Sequence, residues 1–191
     1  MDMDAFIKEL KERRDIREIV HHEVIPGREG IFAETARPLR SEIKEALGAL
    51  GISALYSHQA LGVDRVREGK NLVVMTPTAS GKSLIYNIPV AEALLEDPEA
   101  RALYLFPLKG LEQDQLKAFR DLTEKLPLIT KTDEKKKTAG RKAFAPGVAE
   151  IYDGDTTAYR RKKIREAPPS VVLTNPDMLH LAINPFHQKW E

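Results

Sequence analysis

The chain has 191 residues, 42% of them apolar and 31% charged, with a net charge of +1. That length suits one domain or one domain with an appendage, and the composition suits a globular fold. Overall charge announces no polyanionic partner, the absence of cysteine excludes disulfides and thiolate metal sites, and no apolar run approaches membrane-spanning length. The acidic start MDMDAFIKEL lacks the apolar core of a signal peptide, which points to the cytoplasm and to no membrane partner.

Residues 4 to about 20 read as one or two amphipathic helices, with Phe6, Ile7, Leu10, Ile16, Ile19 and Val20 as apolar positions. A loop follows at 25–30. Leu39, Ile43, Ala46, Leu47 and Leu50 share a helical face, and Gly51 stands where a helix C′ residue belongs. A second helix is expected from Ser57 to Glu68, burying Leu61 and Val66. Leu72 to Met75 reads as a buried strand. Leu84 to Glu96 reads as a helix with Pro89 inside it, where a kink or turn is expected. Strands at 102–106, 149–152 and 171–174 alternate with helices at 111–122, 156–166 and from Asp177 to Ala182. Residues 130–147 are polar, Lys-rich and punctuated by Gly and Pro, as in a loop or insertion. Alternating strands and helices predict an α/β fold with a parallel sheet covered by helices on both faces. Ligands then bind at the carboxyl ends of the strands.

Asn71 to Ser83, NLVVMTPTASGKS, has the strand–loop–helix layout of a phosphate-binding loop. Backbone N–H groups around Ala79, Ser80, Gly81, Lys82 and Ser83 would cradle phosphates, with Thr76, Thr78 and Leu84 also at the nucleotide, and the helix dipole favours an anion there. Gly81 allows the backbone close to the phosphates. Lys82 would reach the β- and γ-phosphates, and the Ser83 hydroxyl would bind Mg²⁺. The strict pattern has Gly where this chain has Thr76. The ends of the later strands carry PLKGLEQDQ, DGDT and NPDML, each with amides, hydroxyls, a glycine or a helix start. Such groups suit contacts to a sugar-phosphate backbone, which position a strand without reading its sequence.

Together and in this order the motifs resemble those of the superfamily 2 helicases, of DExH/DEAD type. LYSHQ, from Leu55 to Gln59, resembles the upstream glutamine motif, and Gln59 is then expected to read the adenine of ATP. TPTASGKS resembles motif I in the form where the first position is not Gly. FPLKGLEQDQ resembles motif Ia, DGDT the glycine-containing nucleic-acid motif, and LTNPDML motif Ib. The wording is most similar to the MrfA/YprA-type DNA helicases. The resemblance implies a RecA-like P-loop domain at 51–191 behind a helical extension at 1–50, with ATP and Mg²⁺ as cofactors and DNA as partner. It implies a nucleic-acid track along Pro107, Lys109, Gly110, Gln113, Gly154, Asp155, Thr156, Thr174, Asn175 and Asp177. Lys82 and Ser83 would carry the phosphate chemistry.

The family's motif II, an Asp-Glu pair ending an apolar strand after motif Ib, is not found; Asp133-Glu134 precedes motif Ib and follows no strand. The second RecA-like domain is also not found. The chain therefore reads as the N-terminal part of a larger helicase, incomplete at its C-terminal end and inactive alone. Two basic clusters, 131–142 and 160–165, are either phosphate contacts or solvated faces; the first reads more readily as solvated. Tyr152 and Tyr159 read as packing residues rather than base-stacking ones. A P-loop kinase or small-molecule NTPase is the alternative enzyme class, and a non-catalytic nucleic-acid-binding module the alternative outside enzymes.

Overall fold

The computed structural model describes residues 2–13, 21, 23–27, 29–126 and 147–190. The chain divides into two units, Met1–Gly30 and Ile31–Glu191. In the first, α1 spans Met3–Glu12, capped by the Asp2 carboxylate on Asp4 N–H at 3.1 Å. The expected helical stretch at 14–20, the insertion at 130–146 and its basic cluster lie outside the described residues.

The second unit starts at Ile31, and its α2 (Ser41–Ala49) buries Ile43, Ala46 and Leu47 in the same core as the elements that follow. Gly51 follows α2 with φ +79°, as its C′ place requires. The sequence did not signal the short ribbon in which β1 (Phe32–Ala33) pairs antiparallel with β2 (Leu55–Tyr56). Then come α3 (Ser57–Arg67), α4 (Leu84–Glu96), β3 (Ala102–Leu105), α5 (Lys109–Thr123), β4 (Ala149–Ile151), α6 (Ala158–Glu166), β5 (Val171–Thr174) and α7 (Pro176–Met178), which runs into a π-helical turn at Leu179–Ile183. α4 continues through Pro89. No helix among the described residues is long and apolar enough to cross a membrane.

The sheet is parallel, in the order β3-β5-β4, with Leu103 beside Val172 and Ile151 beside Leu173. Strand alternation sends Val171 and Leu173 into the large core with Ile88, Phe119 and Leu122, and Val172 into a smaller cluster with Ile164 of α6. Helices thus cover both faces, as a parallel sheet requires.

Two expectations need correction. Leu72 to Met75 forms no strand: Val73 is 88% exposed and Met75 90%. A strand needs a hydrogen-bonded neighbour, and no described strand pairs with this segment. On β3, which pairs with β5 alone, Leu103 and Leu105 are also about half exposed. In α3 the inward face carries Gln59, Ala60, Gly62 and Val63, while Leu61 is exposed. Gly62 decides this, because its missing side chain lets Ile85 of α4 pack where a Cβ would lie 2.6 Å from Ile85 Cγ2. At the far end of α3, Arg67 Nε and Nη2 grip both oxygens of Glu92 in α4, at 2.9 and 2.6 Å, and Nη1 reaches the Arg37 carbonyl. This largely buried fork clamps α3 to α4 and so fixes both ends of the segment between them.

Substitution separates the exposed segment from the core. Met75→Lys is expected to change the unfolding free energy of the 191-residue chain by less than about 0.5 kcal/mol in urea. Ile88→Ala, at a position with no exposure, is expected to cost about 2–5 kcal/mol.

Candidate functional site

The loop expected to hold phosphate lies between the exposed segment and α4. It turns at Ala79, φ +60°, and at Gly81, φ +72°. Left-handed backbone costs a non-glycine residue about 1 kcal/mol, so the surroundings of Ala79 must impose it. Thr76 Oγ1 and Ser80 Oγ lie 2.6 Å apart and close the loop across its base. Lys82 folds back, Nζ donating to the carbonyls of Thr76 (2.9 Å) and Pro77 (2.7 Å), with Ser80 Oγ at 3.3 Å. All three ammonium protons are thus turned onto the loop. Helix α4 begins at Leu84, so Ser83 is its N-cap, yet its hydroxyl makes no capping bond. That oxygen is available to a cation. Thr78 lies exposed at the loop tip.

The first turn of α3 holds this loop from behind. His58 Nε2 donates to the Ser80 carbonyl at 2.9 Å, and Gln59 Nε2 donates to the Gly81 carbonyl at 2.9 Å. Gln59 Oε1 accepts from Tyr56 N–H at 2.8 Å. Gln59 is 3% exposed, so the adenine reader expected from sequence is also a buried tie between the ribbon and the loop. These two bonds set which end of the amide is which. Each amide end keeps one free valence, a second N–H and a second lone pair. A Cβ on Gly81 would lie 2.4 Å from Gln59 Nε2, so the glycine answers both a backbone angle and a close approach.

Sequence reasoning found no aromatic partner for a base. The structure brings two together beside Gln59: the Phe32 and Tyr56 rings stack at 4.9 Å, and Tyr56 stacks on His58 at 5.7 Å. Tyr56 was visible within LYSHQ. Phe32 was not, because only the β1–β2 pairing brings it there.

The parallel strands bring the ends of β3, β4 and β5 to one edge. Pro107, Lys109, Gly110, Gln113, Gly154, Asp155 and Asp177 are exposed there. Lys109 Nζ pairs with Asp155 Oδ2 at 2.7 Å, which holds the Lys109 ammonium above its ordinary pKa. Thr156 Oγ1 bonds Asp153 Oδ1 at 2.7 Å and shapes the turn. Asn175 caps α7 through Oδ1 on Met178 N–H at 3.0 Å. Thr174, expected on the nucleic-acid track, is fully buried, and its hydroxyl donates to the Tyr152 carbonyl just after β4, which ties the two strand ends together. Tyr152 is buried as expected, under Trp190, while Tyr159 is exposed beneath Lys163. The basic cluster on α6 is largely engaged within the protein: Arg160 with Glu150, Arg161 with the Gly154 carbonyl, Lys162 and Lys163 with Glu166, and Arg165 with the Tyr152 hydroxyl. Sequence reasoning missed Glu112, which is fully buried at this edge. Burial pushes its carboxyl above the usual range; Asp153 and Asp155 push the same way, against Asn175 and Lys109.

A parallel α/β unit with a phosphate-binding type of loop, gripped by a buried glutamine and backed by strand-end loops, defines a P-loop nucleotide-binding domain of RecA-like fold. The comparisons make this specific. Residues 56–190 match the DEAD/DEAH box helicase family, and the chain belongs to that family. It is 39% identical over 188 residues to an uncharacterized ATP-dependent helicase, YprA, of Bacillus subtilis, covering 98% of this chain and 22% of that protein. It is 35% identical over 173 residues to the ATP-dependent helicase HRQ1 of Saccharomyces cerevisiae, covering 91% of this chain and 14% of that one. Among solved structures, the DUF1998 helicase MrfA bound to DNA aligns over 100% of this chain and 24% of its own, with a TM-score of 0.72 and 37% identity. The chain thus spans about a quarter or less of the length of these relatives.

Two substitutions test this geometry. Gly81→Ala meets both the φ penalty and Gln59, and is expected to lower stability by about 1–3 kcal/mol in urea; the losses from Gly81→Ala and Gln59→Ala are expected to sum to more than the loss in the double variant, because the two groups meet. For Glu112, a raised folded pKa means that stability is lost as pH rises from the ordinary carboxyl value through the folded one, and the loss is complete above it. Glu112→Gln is therefore expected to raise the melting temperature by about 3 °C near pH 7. The gain should fade as pH drops to the ordinary carboxyl range.

Proposed function

We propose that the chain is the ATP-binding and nucleic-acid-binding part of the motor of an ATP-dependent DNA helicase. It comprises the first RecA-like domain from about Ile31, with Met1–Gly30 as an N-terminal extension. The observation that carries the reading is the loop 76–83 tied through Gln59 to a stacked aromatic pair. One residue then joins a phosphate cradle to a place where a base can stack. The free N–H and lone pair of the Gln59 amide match N7 and the N6 amino group of adenine, and the Tyr56–Phe32 face suits its ring. Lys82 would leave the Thr76 and Pro77 carbonyls for the β- and γ-phosphates. Ser83 would supply one oxygen to Mg²⁺, with phosphate and water supplying the rest.

The exposed groups at the ends of β3, β4 and β5 would track a phosphate backbone. DNA as that partner is supported by the DNA-bound relative MrfA, and ATP by its AMPPNP-bound form, which aligns with a TM-score of 0.69. The exposed face of β3 and the unpaired segment 72–75 support an incomplete RecA-like sheet. Further strands would carry the carboxylates of motif II, and a second RecA-like domain would close over the nucleotide. Hydrolysis in the whole protein would alternate these domains between closed and open, which moves the strand.

Binding of a fluorescent ATP analogue and of single-stranded DNA to residues 1–191 tests this division. Lys82→Ala is expected to weaken nucleotide binding about tenfold or more and to keep most DNA affinity; equal loss of both contradicts the reading. Asp155→Asn releases Lys109 and is expected to tighten DNA binding, steepening the plot of log affinity against log salt by about 0.7. Steady ATP turnover by residues 1–191 alone would contradict the placing of the catalytic carboxylates elsewhere.

A further inference from the structure

The first turn of α5 sends two side chains to two different strand ends. Lys109 and Glu112 stand three residues apart, on one side of the helix. Lys109 reaches Asp155, beyond β4, and both partners are more than half exposed. Glu112 reaches Asn175, beyond β5: its Oε1 accepts from Asn175 Nδ2 at 3.2 Å, with no exposure at all. The other carboxyl oxygen, Oε2, is buried without a hydrogen-bond partner. Asn175 Oδ1 in turn accepts from Met178 N–H, and the Asn175 carbonyl accepts from Leu179 N–H at 3.0 Å. One bond from Glu112 therefore sets the rotamer of the residue that caps the turn at Pro176–Met178.

A buried carboxyl oxygen with no partner costs stability, and a side chain of similar volume without that oxygen would not incur the cost. A group kept at such a cost, and bonded to one cap residue, points to a role other than packing. We propose that Glu112 is a positioning residue of the nucleic-acid edge, holding Asn175 and the turn after β5 in place while Lys109 exchanges Asp155 for a backbone phosphate. The inference rests on the nucleic-acid reading of this edge. The two ties differ in what can replace them. The Lys109–Asp155 pair is exposed, weakened by salt, and open to competition from a phosphate. The Glu112–Asn175 bond is part-buried, with its carboxylate side fully shielded from water, and is less open to competition. The edge thus has one exchangeable contact and one fixed contact on the same helical turn. Asp177 and the backbone around it keep their place when the strand arrives.

The test compares Glu112→Met and Glu112→Gln in the 191-residue chain by amide hydrogen exchange and by fluorescence anisotropy with oligo-dT at low salt. Methionine is close to glutamate in volume and apolar, so Glu112→Met is expected to fold, but it leaves Asn175 Nδ2 without an acceptor. Exchange at the Met178 amide is expected to quicken about fivefold, and oligo-dT affinity to fall about three- to tenfold, with nucleotide affinity unchanged. Glu112→Gln keeps an acceptor oxygen and is expected to match the native chain in both readouts while melting higher. Native exchange and affinity in Glu112→Met, or equal losses in the glutamine variant, overturn the proposal. A native chain that binds no oligo-dT overturns the reading of the edge itself, and with it the functional half of the proposal; exchange at Met178 reports the positioning half alone.

Discussion

The amide of Gln59 is the contact on which the nucleotide side of this molecule depends. It accepts from Tyr56 N–H and donates to the Gly81 carbonyl, joining the start of α3 to the phosphate loop. The loop has little other support of that kind. The segment that leads into it is exposed and pairs with no described strand, so among the described residues no sheet hydrogen bonds hold its entrance. Its turns are left-handed at Ala79 and Gly81. His58 and Gln59 on one side and α4 on the other set its path, and the Arg67–Glu92 fork keeps those two helices together. Gly81 cannot gain a side chain without striking the Gln59 amide, so loop and tie are specified together.

The other half of the unit obeys a different constraint. Three parallel strands, two of them buried between two apolar clusters, must end at one edge, and three loops therefore meet there. Their ties are side-chain bonds from one loop to the next: Lys109 to Asp155, Glu112 to Asn175, Thr174 to the Tyr152 carbonyl. The buried ties make a fixed frame, and the exposed groups around them are left to meet a ligand. The basic helix α6, which composition offered as a phosphate surface, instead spends much of its charge on Glu150, Glu166 and the Gly154 carbonyl.

Much of this was legible from residue order. The three sheet strands and the helices between them were expected within a few residues, because alternating apolar runs and charged amphipathic stretches carry that pattern locally. The glycine turn and the helix that starts after Ser83 were legible, because small residues before an apolar-periodic segment mark such a junction. Local pattern failed where the answer lay in another part of the chain. Leu72 to Met75 has the composition of a strand, but a strand exists only with a neighbour. Leu61 looked more buried than Gly62, yet the absence of a side chain at Gly62 decides how α3 meets α4. Thr174 and Glu112 both sit in segments that read as facing a sugar-phosphate backbone, and both are buried because the strand ends converge. Phe32 had no signal, since antiparallel pairing with a strand far along the chain brings it to Tyr56.

The central claim is that base reading and phosphate holding share one side chain. Affinities of native and Gln59→Ala chains for ATP, GTP and inorganic triphosphate, each with Mg²⁺, test it directly. The account predicts that the substitution removes the preference for ATP over GTP and also weakens the bare triphosphate, because the loop loses its tie at Gly81. Unchanged triphosphate affinity in the variant would contradict it, leaving Gln59 with a role in reading the base alone.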